Sequence, residues 1–254
     1  MTTKTTTNPV FAPGRLALEL GDPARAERIH TDPRSTDLLT WNVFATLAAH
    51  RDQPWLASRL QILGGPALAA PVRIGLWTGR DRTPLLPPSA AYVASVRDRM
   101  RAAGADDAAI GASIGEFAAA IEAPVRIESP DVLCLVDTYL DGYPLGAGGR
   151  DRLVELIDAG LDAAQRVGKQ LAVAVVYPSG RQFAGEISAR VRTLQDTAGL
   201  RAALPHRTSV PAVTLREVSW QQLLKVWEAE RDWLELGGEP VKGFLEHCAA
   251  LGLR

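Results

Sequence analysis

Lysine is scarce in this chain. Lys4, Lys169, Lys225 and Lys242 are the four in 254 residues, so almost all of the 28 basic side chains are arginine. Against 29 acidic residues the formal net charge is −1, and no global field draws the chain toward nucleic acid or an anionic membrane. A local basic groove is still compatible with that balance. Cysteine is limited to Cys134 and Cys248, both in apolar surroundings, and the four histidines, His30, His50, His206 and His247, are scattered. No Cys/His spacing matches a structural zinc site. No Ser or Cys has a His and an acid at a suggestive local spacing, so nucleophilic hydrolysis has no specific support. No apolar run approaches the length of a membrane span, and the opening Met-Thr-Thr-Lys-Thr-Thr-Thr lacks the apolar core of a leader. A soluble cytoplasmic protein with no membrane partner is expected.

What is present is an ordinary globular composition, 46% hydrophobic, in a chain long enough for a substantial core. Residues 1 to about 14 read as a loose Thr-rich arm, and 15–35 as a short polar segment broken by Pro23 and Pro33. A helix begins at Ser35 or Thr36, with Leu38, Leu39, Val43, Phe44 and Leu47 on its apolar face. A second amphipathic piece covers 55–63, and Val72 to Trp77 reads as a strand. A polar turn (78–83) and a Pro-rich link (84–88) follow. From Ser89 to about Ala123 the pattern is helical but broken near Gly104, which predicts a helical hairpin with Asp106 and Asp107 in the first turn of its second helix.

The stretch from Glu122 to Arg152 organises the rest. Val125, Ile127 and Val132 to Leu140 are strand formers, and Ser129-Pro130-Asp131 is turn chemistry between them. Val-Leu-Cys-Leu-Val at 132–136 is apolar without alternation, which predicts a strand buried on both faces. Glu122, Glu128, Asp131, Asp137 and Asp141 stand at the ends of this hairpin. A Gly-rich loop (141–149) then leads into a helix running to about Val167. Leu171 to Tyr177 is a further buried strand, 181–197 a loop and helix, and 210–215 a last strand. Helices capped by Ser219 (219–236) and over 240–252 close the chain. The order argues for a mixed sheet packed with helices.

Several of these segments, taken in order, resemble the PD-(D/E)XK, or restriction-endonuclease-like, superfamily, in particular uncharacterised bacterial members of about this size. They are the helix Leu39-Thr-Trp-Asn-Val-Phe-Ala-Thr-Leu47, the hairpin, Gly149-Arg-Asp-Arg-Leu153, the strand Leu171 to Tyr177, Val218-Ser-Trp220, and Phe244 to Leu253. The resemblance implies a three-layer α/β core with a short mixed central sheet flanked by helices. It implies one domain over 35–254 after an N-terminal arm and lead-in (1–34), with a helical insertion at about 85–120. In active members an Asp on the first hairpin strand and a Glu or Asp on the second bind Mg²⁺, and a Lys two residues on helps to activate water. Hard carboxylate oxygens hold the cation, and the cation acidifies its bound water.

Matched position by position, Glu122 falls where such relatives carry a Glu, but Pro124 stands at the metal-binding Asp. Asp137 takes the second acidic position and Tyr139 the Lys. Proline has no ligating side chain, and a tyrosine of ordinary pKa is a poor ammonium substitute. The literal motif at Pro130-Asp131 and Asp137 fails on distance, because a turn residue and a strand-end residue lie about 15–20 Å apart. The resemblance therefore implies a degenerate site made of Glu122, Asp137, Tyr139, Arg150 and Arg152. Two expectations follow. One is a non-catalytic nuclease-like protein, needing no cofactor and binding DNA, RNA or protein partners of a DNA-processing or defence system. The alternative is an active phosphodiesterase in which Glu122 and Asp137 hold Mg²⁺ or Mn²⁺ and an arginine or Lys169 replaces the missing Lys. Each residue also has a plainer reading: Arg150 and Arg152 as solvated first-turn residues, Lys169 as a loop charge, Asp137 as a cap on the glycine loop, Glu122 as a helix-end surface charge.

Two other features have a plain reading as well. Gly146 to Gly149 before a helix invites a phosphate-loop reading but lacks the Gly-Lys-Ser/Thr ending. The six tryptophans invite a base-stacking reading, but Trp41, Trp220 and Trp227 fall on apolar helix faces and fit core packing. Trp233, among charged neighbours, fits a partner contact.

Overall fold

A computed structural model describes residues 8–77, 85–142, 150–229 and 239–254. The Gly146 to Gly149 loop, the whole of the 78–83 turn with Pro84, and Trp233 lie outside the described residues. Sixteen elements follow in order: α1 (Pro13–Leu20), α2 (Pro23–Thr31), α3 (Thr36–Ala48), α4 (Gln53–Gly64), β1 (Arg73–Leu76), α5 (Ala90–Ala102), α6 (Asp107–Ala118), β2 (Val125–Glu128), β3 (Val132–Thr138), α7 (Arg152–Arg166), β4 (Gln170–Tyr177), α8 (Ala184–Gln195), α9 (Thr197–Ala203), β5 (Val213–Ser219), α10 (Trp220–Ala229) and α11 (Glu239–Ala250). The five strands form one open sheet in the order β1-β2-β3-β4-β5. β1, β2 and β3 run as an antiparallel meander; β4 and β5 add parallel to β3.

Why the sheet is central follows from the strand sequences. Side chains alternate across a strand, so an uninterrupted apolar run must be covered on both faces. β3 is buried at every position. Val132, Cys134 and Val136 point into one core with Ala172, Ala174 and Val176 of β4, against α3, α4, α10 and α11. Leu133 and Leu135 point into the other with Leu171, Val173 and Val175, against α5 to α9. The result is a three-layer α/β/α molecule. At Gly160 an added Cβ would lie 2.8 Å from Leu135 Cδ1, so a larger residue there would press on the Leu135 and Leu171 side chains of the sheet.

Local signals account for most helix starts. Ser35, Ser89 and Asp106 each accept the backbone N–H three residues on, and Ser219 and Gln222 exchange hydrogen bonds as a capping box. The helical hairpin predicted after Ser89 is α5 and α6, inserted between β1 and β2.

The lead-in differs from expectation. Residues 1–7 of the expected arm lie outside the described residues; from residue 13 the expected arm end and polar segment are two helices packed on the core. Pro13 and Pro23 stand in the first turn of α1 and α2, where proline costs no hydrogen bond. Leu16 and Ile29 are fully buried, and the Phe11 carbonyl accepts the Trp41 indole N–H at 2.6 Å. Four of the tryptophans, Trp41, Trp77, Trp220 and Trp227, are core residues.

Candidate functional site

The carboxyl ends of parallel strands, beside helix starts, are where open α/β sheets place ligands. Here that edge gathers the end of β3, the start of β2, the end of β1 and the start of α7. Asp137 is the penultimate residue of β3 and is 2% exposed. Burying a lone carboxylate is costly, so it needs a charged partner. Arg152, the first residue of α7, supplies it: Nε lies 2.9 Å from Asp137 Oδ2 and Nη2 3.1 Å from Oδ1. The fork leaves Nη2 able to donate also to the Glu122 carbonyl at 2.8 Å. The Tyr139 hydroxyl donates to the same Oδ2 of Asp137. Tyr139 itself is pinned by its backbone, its N–H on the Val176 carbonyl at 2.8 Å and its carbonyl on the Trp220 indole at 2.8 Å. Burial alone would lower the Arg152 pKa, but the charge and hydrogen bonds of Asp137 outweigh it and raise it.

Glu122 is brought to this edge by its backbone, while its side chain turns to a second guanidinium. Arg25 of α2 lies 2.7 Å from Glu122 Oε1 and 2.7 Å from Asp37 Oδ2, and stacks over Trp77 at 4.8 Å. Trp77 in turn stacks on Trp41 with ring centroids 6.1 Å apart. Trp77 holds a left-handed backbone, φ 45°, which a bulky side chain adopts only under constraint at a cost of about 1–3 kcal/mol. Two cationic forks thus bind three carboxylates across segments far apart in sequence.

Arg150 forms a separate unit. It grips Glu155 of α7 with 2.9 and 2.7 Å contacts and lies 5.6 Å above the Phe117 ring. Glu155 is 2% exposed and also accepts from the Tyr92 hydroxyl of α5 at 3.2 Å. One turn further, the fully buried Asp158 holds His206, Arg207 and the Ser89 backbone N–H. Burial would raise the Asp158 pKa, but these partners hold it below the ordinary carboxylate range. The charged stripe of α7, which in an isolated helix faces water, is covered by the α5–α6 hairpin and the loop after α9.

The plainer readings of the arginines are corrected accordingly: neither Arg150 nor Arg152 is a solvated first-turn residue, because each closes an ion pair with an acid 2% exposed. Glu122 is not a free surface charge; the reading of Asp137 as a cap on the glycine loop falls outside the described residues, and Asp151 caps α7, accepting from Leu153 and Val154 at 3.1 Å. Lys169 lies at the opposite end of β4 from Asp137, paired with Glu128 at 3.1 Å, and cannot serve this edge.

The donors do not fit Mg²⁺ or Mn²⁺. Such ions need several oxygens free to converge, whereas both Asp137 oxygens are engaged by a fixed guanidinium and the neighbouring Glu122 side chain binds Arg25. Among the described residues no three His, Cys, Asp or Glu side chains gather as a metal would require. No described helix is long and apolar enough to cross a membrane. Sequence reasoning missed Arg25, Asp37 and the buried acids of α7; Arg25 stands 97 positions from Glu122 with no local pattern marking it. Compared with family models, curated proteins and solved structures, the chain matches none.

Proposed function

We propose that the chain is a restriction-endonuclease-like protein that does not cleave phosphodiester bonds and serves as a nucleic-acid- or protein-binding subunit, of a kind suited to a DNA-processing or defence system. The short mixed sheet between helical layers, with an acid ending β3 and a helix start beside it, supports the scaffold. One observation carries the loss of catalysis: Arg152 takes both oxygens of Asp137. In a metal-dependent nuclease that carboxylate holds a cation with exchangeable ligands, which acidifies a water and stabilises the leaving oxygen. A guanidinium neutralises the carboxylate equally well but offers no coordination site and no water to activate. Arg152 then acts as a permanent tie between β3, α7 and the segment at Glu122.

The test is incubation of the full chain with single- and double-stranded DNA and RNA, with Mg²⁺ or Mn²⁺. Cleavage no greater than that of Asp137→Ala is expected. Cleavage lost in Asp137→Ala overturns the proposal in favour of an active nuclease with a rearranged site. Gel shifts in chelator separate the two kinds of subunit: retained DNA or RNA assigns a nucleic-acid role, and no retention assigns a protein one.

A further inference from the structure

Between α5, the start of α7, α8 and α9 lies an open cavity of about 320 Å³, at the small end of the range of ligand sites. Small residues of α9, Gly199, Ala202 and Ala203, leave the space unfilled. Two guanidiniums line it from different helices, Arg99 of α5 and Arg190 of α8. The acid in the lining, Asp151, is already engaged. One of its oxygens accepts the Leu153 and Val154 N–H groups, and the other lies 2.6 Å from Arg190 Nε. That contact uses Nε alone and leaves both Nη groups of Arg190 as donors. Arg99 has no acid within ion-pair or hydrogen-bond reach among the described residues; Asp98 and Asp107, the acids of its own hairpin nearby in sequence, pair with Arg101 instead. The hydroxyls of the lining donate elsewhere, Tyr92 to Glu155 at 3.2 Å and Thr193 to the Ala189 carbonyl at 3.0 Å. The donors left over on the lining side chains are therefore guanidinium N–H groups, and their charges outnumber the one acid. That inventory fits an anion and repels a cation. One guanidinium fork saturates the two oxygens of a carboxylate, whereas a phosphate has oxygens and charge for two.

We propose that this cavity binds a phosphate group, free or as the ester of a small alcohol. The phosphate sits between Arg99 and Arg190, and an organic part rests over Ala202 and Ala203. The site shares no lining side chain with Asp137, Tyr139 or Arg152, so it is independent of whether the chain cleaves nucleic acid.

The experiment is calorimetry of the full chain at low ionic strength with inorganic phosphate and, separately, glycerol 3-phosphate, on wild type, Arg99→Gln and Ala202→Leu. Both substitutions fall at exposed positions, and matching melting curves verify that the variants fold. Saturable binding of at least one probe is expected. Arg99→Gln weakens it about tenfold, as loss of one charge-assisted contact requires. Ala202→Leu also weakens it, by filling the cavity without altering a charge. Tighter binding of glycerol 3-phosphate assigns the site to a small phosphate ester, and equal or weaker binding assigns it to free phosphate. Absence of saturable heat with both probes overturns the proposal. So does an affinity unchanged in Arg99→Gln or in Ala202→Leu, since the anion then binds elsewhere.

Discussion

Replacing Arg152 with methionine keeps much of the side-chain volume and removes the charge that holds Asp137. The carboxylate, 2% exposed in the wild type, keeps the Tyr139 hydroxyl on one oxygen and loses the guanidinium from both. Removing one member of a buried pair costs about 3–5 kcal/mol, because the other is left charged in a poor solvent. The Arg152 side chain is 31% exposed, so water reaches part of the site, and the lower end of about 3 kcal/mol applies. For a chain of this size that lowers the melting temperature by about 6–12 °C. Asp137→Asn removes the stranded charge, so adding it to Arg152→Met restores part of the loss. A double-mutant cycle by urea unfolding is therefore expected to give a coupling of about 1–3 kcal/mol. An Arg152→Met variant within about 0.5 kcal/mol of wild type, or a coupling near zero, refutes the view that this guanidinium stands in for a cation.

Other outcomes follow from the same geometry. Gly199→Ala places a Cβ 2.0 Å from the Thr193 carbonyl oxygen, a backbone atom with no rotamer to yield; a loss of about 1–3 kcal/mol in urea unfolding is expected. Tyr139→Phe removes one hydrogen bond from Asp137 but leaves the Arg152 fork, so it costs less than Arg152→Met, about 1–2 kcal/mol. Asp158 has a folded-state pKa below its unfolded value, so its stabilisation is complete above about pH 4–5 and fades as pH falls through the folded pKa. The stability gap between wild type and Asp158→Asn, followed from pH 5 to pH 3, therefore narrows; a constant gap contradicts the assigned ion pairs.

The layers of the fold were legible because they rest on patterning. The unbroken apolar run of β3 and the second run of β4 fixed two doubly covered strands, and the capping residues Ser35, Ser89 and Asp106 marked helix starts. The N-terminal helices are hidden because a Thr-rich start and a polar segment with Pro23 and Pro33 carry little apolar periodicity, although proline suits a first helical turn, as at Pro13 and Pro23. β5 extends to Ser219, beyond the run ending at Leu215, because Arg216 and Glu217 interrupt the apolar pattern while their backbones still pair with β4. The candidate site was half legible. Asp137, Tyr139 and Arg152 were marked by order in the chain, but their mutual engagement was not, since a salt bridge closed over 15 residues leaves no periodic trace. Glu155 and Asp158 lie at helical spacing with Arg152, a pattern that reads as a wet face unless another element is known to cover it.

The most direct test is calorimetric titration of the intact chain with Mn²⁺, beside Asp137→Ala. The account predicts no saturable heat in either protein, because Arg152 already neutralises Asp137 and leaves no ligand oxygen to converge. Stoichiometric Mn²⁺ binding by the wild type that disappears in Asp137→Ala would contradict it.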